Sequence, residues 1–125
     1  VTSAYAAADL LVHPTTEDTY AMVVLEAMAH GLPVIVSSAP YCGIAAELEH
    51  EQEALILDNP CDARGLANQL LRMLPSPHLQ MHLVKKARQF AISRSWGVTA
   101  LRYESLIQHI RKINPNSIGS KNTTA

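Results

Sequence analysis

Cysteine is scarce in this chain. Only Cys42 and Cys61 occur among 125 residues. Two thiols so spaced exclude a disulfide framework and fit a reducing compartment. A surplus of charge is also lacking. Ten Lys and Arg face eleven Asp and Glu, for a net charge of −1, which excludes the basic footprint of a nucleic-acid binder. No apolar run approaches the roughly 18 residues of a membrane span. No stretch has the pattern of a secretory signal. A cytoplasmic location is expected, with peripheral attachment at the inner face of the membrane as a variant. What is present is mostly apolar: 48% of the residues are hydrophobic, ample for the core of at most one domain. The chain starts at Val1, without Met, inside an Ala-rich helical pattern. A piece of a longer protein is expected.

Periodicity and breakers predict alternating helices and strands. A helix, or its last turns, is expected over 2–8. Strands are expected at 10–13, 33–36 and 54–57. Further helices are expected at about 19–30 and at 44–48, 62–74, 77–93 and 98–112. Asn59-Pro60-Cys61-Asp62 reads as a helix start with Pro60 in the first turn. Trp96-Gly97 reads as a corner. From Asn114 the chain is polar and expected to be disordered. Strands separated by helices imply right-handed βαβ units and a parallel sheet. The fold class is therefore α/β: the second half of a doubly wound, Rossmann-like parallel sheet of about three strands, with a C-terminal helical extension. Strand 10–13 would then leave one edge open.

One segment, running from Glu17 to Val36, carries the chemistry. Glu17 and Asp18 open a helix. Gly31 closes it, as a glycine in the left-handed region does. Pro33 then starts Val34-Ile35-Val36, which reads as a buried strand. Glu26 is the odd residue. It stands among Met22, Val23, Leu25 and Met28, which predict a mostly buried helix. An unpartnered buried carboxylate is expensive, so Glu26 is expected to face a cleft, a partner or a ligand. Asp18 lies eight residues earlier, about 12 Å along an ideal helix and roughly 80° around it. The two acids can line one ligand only if Asp18 sits at the cap. Taken alone, Asp18 is an ordinary cap residue.

The segment resembles the C-terminal domain of GT-B glycosyltransferases, and especially family 4, the retaining nucleotide-sugar transferases. Their signature is Glu-x7-Glu within Glu-Gly-Phe-Gly-x4-Glu-Ala-x-Ala-x-Gly-x-Pro-Val. Asp18 stands at the first acid and Glu26 at the second, and Glu26-Ala27-Met28-Ala29-His30-Gly31-Leu32-Pro33-Val34-Ile35 matches nearly throughout. Asp replaces Glu at 18, and Thr19-Tyr20-Ala21 replaces Gly-Phe-Gly. His13-Pro14 and Tyr41-Cys42-Gly43 are most similar to lipopolysaccharide-core members. The resemblance runs from about Thr2 to Ile110.

The resemblance implies residues 1–113 as a partial nucleotide-sugar-binding domain and 114–125 as a tail. It implies a donor site in a transferase that moves a hexose, with retention, to a cell-envelope glycan or lipid-linked acceptor. Asp18 would take the catalytic, sugar-contacting role, with Glu17 as its substitute. Glu26 would accept two hydrogen bonds from a ribose diol. A helix N-terminus favours phosphate, so the amides of Tyr20, Ala21 and Met22, with Thr19 beside them, would face the diphosphate. Gly43, at a second helix start, would approach the donor sugar. No cofactor and no metal are expected, the donor being a UDP-sugar. The remaining partner would be the N-terminal domain of the same chain, so this portion alone should be inactive. His78 and His82 have metal-pair spacing but no third ligand, and read as a solvated face. Asn122-Thr123-Thr124 matches a glycosylation sequon. Two rivals stay open: a non-catalytic interaction domain that keeps the GT-B fold, and a GT-B nucleotide-sugar epimerase.

Overall fold

The computed structural model describes residues 2–114. The expected tail, beyond Asn114, and the sequon lie outside them. The chain forms two compact units, Val1–Ile92 and Ser93–Ala125. In the first, α1 (Thr2–Ala7) leads into β1 (Leu11–His13), α2 (Met22–Ala29) and β2 (Val34–Ser37). A 3-10 helix at Gly43–Glu47 follows, then β3 (Leu55–Leu57), α3 (Ala63–Met73) and α4 (Pro77–Ser93). The three strands form one sheet in the order β1-β2-β3. Both pairings are parallel: Val12 stands opposite Ile35, and Ile35 opposite Leu55. Chain order thus equals spatial order, and β1 is an edge strand, as the sequence predicts.

Side-chain alternation divides the core between the two faces of the sheet. Val34 and Val36 point with Val24, Ala27 and Met28 of α2 into one cluster. Ile35 points the other way, into a second cluster with Leu55, Leu57 and Met73. All four β2 residues are buried, which explains why the central strand reads as a continuous apolar run. Helix α4 serves both clusters, Ala87 and Ala91 on one side and Leu83 on the other.

Three boundaries differ from expectation. Helix α2 begins at Met22, three residues later than expected, because Ala21 holds φ 66° and ψ 68°, outside the helical region. Pro60 lies in a turn before α3, where the Asn59 side chain accepts from the Cys61 amide at 2.9 Å. Asp62 is the actual cap, accepting from the Gly65 amide at 2.9 Å. Trp96-Gly97 is not a corner. It opens α5 (Trp96–Ile113), capped by Ser95. No residue of α5 is buried.

The end of α2 follows the expectation. Gly31 has φ 80°. Its amide donates to the Met28 carbonyl at 3.1 Å, and the Leu32 amide donates to the Ala27 carbonyl at 3.0 Å. This is the Schellman pattern that a left-handed residue permits.

Candidate functional site

The loop after β1 and the loop after β2 meet beyond the carboxyl ends of their strands, where α/β sheets bind ligands. Asp18 and Cys42 form a parallel bridge there. The Asp18 amide donates to the Tyr41 carbonyl at 2.9 Å, the Gly43 amide to the Asp18 carbonyl at 3.0 Å, and the Ile44 amide to the Tyr20 carbonyl at 3.2 Å. A Cβ on Gly43 would fall 1.9 Å from the Thr19 carbonyl oxygen. Glycine is required because backbone meets backbone. Ser37, fully buried at the end of β2, donates to the Thr15 carbonyl at 2.8 Å and ties the first loop down.

The Asp18 side chain is heavily engaged. Its Oδ1 accepts from the amides of Ala21 at 2.7 Å and Tyr20 at 3.2 Å. Its Oδ2 lies 3.1 Å from Nε2 of His13, which must carry the proton when the carboxylate is ionised. Burial pushes this carboxyl up, but the Ala21 amide, the His13 ring and the Tyr20 amide outweigh it and hold it below the ordinary value. A shorter acid than Glu reaches the amides of its own loop. As a result, two of the three amides expected to face a diphosphate are bonded to Asp18. Met22 has no such bond among the described residues and opens α2 at 49% exposure.

Glu26 is exposed, not buried. The phase of the helix explains this. Val24, Ala27 and Met28 form the buried side, while Met22 and Glu26, one turn apart, share the outer one. Oε2 of Glu26 accepts from the Tyr5 hydroxyl at 2.9 Å. The Tyr5 ring stacks on His30, centroids 4.8 Å apart at 26°. His30 in turn places Nδ1 2.8 Å from the Glu26 carbonyl, which fixes the ring proton on that nitrogen.

The structure therefore brings Asp18, Thr19, Tyr20, Ala21 and Gly43 together and sets Glu26 apart with Tyr5 and His30. Glu17 is exposed, and its amide donates to the Thr15 hydroxyl at 3.2 Å. His13, Ser37 and Tyr5 escape a sequence reading. Their partners lie 5, 22 and 21 residues away, and none of the three sits in the acidic motif. Among the described residues, no group of three or more His, Cys, Asp or Glu could hold a metal ion. No described helix is long and apolar enough to cross a membrane.

Residues 1–76 match the family model for glycosyl transferases group 1. The chain belongs to this family. Among its relatives, the sulfoquinovosyl transferase SQD2 of Arabidopsis thaliana is 31% identical over 98% of the chain and 25% of its own length. The lipopolysaccharide glucosyltransferase WaaG of Escherichia coli is 32% identical over 73% of the chain and 24% of its own length. The chain thus spans about a quarter of the length of these relatives. Among solved structures, the sucrose-phosphate synthase of Thermosynechococcus elongatus superposes with a TM-score of 0.74 at 31% identity, covering 88% of the chain and 27% of that protein. The Anabaena protein HepE, in complex with UDP, superposes at 0.70 with 23% identity, covering 84% of the chain and 29% of that protein. That likeness supports the shared fold.

Proposed function

We propose that this chain is the donor-binding portion of a retaining glycosyltransferase that moves a hexose from a UDP-sugar to a cell-envelope glycan or lipid-linked acceptor. One observation carries the reading. Glu26, in the family-matched segment, projects from the outer face of α2 one turn after its start. A carboxylate there can accept both hydroxyls of a ribose. The attached diphosphate then reaches toward the start of α2, where backbone N–H groups and the helix dipole favour negative charge. Binding energy gathered at ribose and diphosphate positions the anomeric carbon, where positive charge develops as the diphosphate leaves. The sugar-contacting acid is Asp18 or, beside it, the exposed Glu17. Gly43 and Thr19 shape the floor. The acceptor-side residues and the rest of the cleft belong to an N-terminal domain of the same chain, at the cytoplasmic side of the membrane.

UDP and UDP-glucose complexes of HepE support the nucleotide, and the name of WaaG supports the acceptor class. Calorimetric titration of the intact protein with UDP and UDP-glucose tests the reading. Glu26→Ala should weaken UDP by at least about tenfold, since hydrogen bonds to a charged group contribute about 1.5–3 kcal/mol. Unchanged affinity would sink the donor-site assignment. A second reading, a non-catalytic domain that keeps the fold, draws on the three hydrogen bonds already filling Asp18. It predicts UDP binding without sugar transfer.

A further inference from the structure

We propose that Tyr5 is a positioning residue for Glu26: its hydroxyl holds one carboxylate oxygen so that the other is presented to the ribose diol of the donor. The inference rests on the donor-site reading above and adds a residue outside the acidic motif.

Tyr5 lies on α1, 21 residues from its partner. It is constrained on three sides. Its hydroxyl donates to Oε2 of Glu26 at 2.9 Å. Its ring stacks on His30. Its body packs against the core cluster that α2 and β2 build. His30 is itself bonded to the Glu26 carbonyl through both its amide, at 3.0 Å, and its ring, at 2.8 Å. The phenol therefore sits in a frame made by the same helix that carries the acid. An exposed Glu side chain otherwise samples many rotamers, and ordering it on binding reduces affinity. A tether to a fixed hydroxyl removes part of that freedom beforehand. It occupies one lone pair of Oε2 and leaves Oε1 to a ligand. The donor also persists: burial and the adjoining Glu26 carboxylate push the Tyr5 phenol above its ordinary value of 10.0, so the hydroxyl keeps its proton across the neutral range.

The test compares UDP with 2′,3′-dideoxy-UDP, which lacks the diol, on the intact protein. Wild type should prefer UDP. Tyr5→Phe keeps the ring and the stack but removes the hydroxyl. It should reduce that preference roughly threefold to tenfold while leaving the Kd of the dideoxy analogue unchanged. In a Glu26→Ala background the same change should have no effect, since the oxygen it positions is gone. Full preference retained by Tyr5→Phe, with Glu26→Ala abolishing it, would overturn the role of Tyr5 and leave the donor site standing. Equal weakening of both nucleotides would also overturn it, by showing a structural role only. Preference retained by Glu26→Ala, or none in wild type, would overturn the donor-site reading and this inference with it.

Discussion

A carboxylate offers about four lone-pair sites, and the number a protein fills decides what remains for a ligand. Asp18 has three filled, by Ala21, Tyr20 and His13. Glu26 has one filled, by Tyr5. Asp18 therefore uses most of its capacity within its own loop and keeps about one site for a ligand, while Glu26 keeps about three. The folded pKa of Asp18 is lowered from 3.8. Its ionised form thus stabilises the fold above about pH 4, and that contribution disappears as pH falls through the lowered folded value. Urea midpoints at pH 6 and pH 3 should converge more in Asp18→Asn than in wild type. Cys42 gives a second prediction. Burial, then the Asp18 carboxylate, pushes its thiol up, and a protonated buried thiol is inert. Mass spectrometry after brief native alkylation at pH 7 should find Cys61, which is exposed, modified and Cys42 unmodified. Labelling of Cys42 at the rate of Cys61 would contradict the packing. The Glu26 position was legible in the acidic spacing and its need of a partner in its apolar neighbours, but Tyr5 as that partner was not. Counting apolar neighbours missed the 3.6-residue phase that turns Val24, Ala27 and Met28 inward.

Elements begin and end where single residues force them to. The end of α2 was legible, because a glycine directly after an apolar helical run supplies the left-handed residue that stops it. Its start was not. The signal sits in Ala21, a residue that avoids the left-handed region, held there by a loop bonded to a distant segment. Sequence periodicity carries no trace of such a bond. The two glycines separate these kinds of constraint. Gly31→Ala should cost about 1–2 kcal/mol from left-handed strain, since the group its Cβ meets is the flexible Arg88 guanidinium. Gly43→Ala should cost a similar amount or more, about 1–3 kcal/mol, because its Cβ meets backbone. Denaturant melts of both variants give the stability. Amide shifts at 18–20 should move for Gly43→Ala and stay in place for Gly31→Ala. The reverse pattern would show that the two loops do not depend on each other.

At the scale of the molecule, the parallel sheet and the edge position of the first strand were legible, since strands joined by helices leave few topologies. The role of α4 was not. Its periodicity announces an amphipathic helix, yet nothing local says that Leu83 serves one face of the sheet while Ala87 and Ala91 serve the other. The family match ends at residue 76, short of all three. A chain cut after residue 76 should therefore lack a cooperative thermal transition by circular dichroism. One cut after Ile92, the limit of the first compact unit, should keep it. Identical melts for the two would show that α4 is dispensable. The same feature sets a timetable during synthesis. Ala91 follows Gly43 by about 50 residues, a lag of roughly 2–10 s at roughly 5–20 residues per second. Through that interval Val24 and Met28 have been made but lack the cover that Ala91 completes, so the nascent chain meets the ribosome exit and its attendant chaperones with an unfinished, adhesive surface.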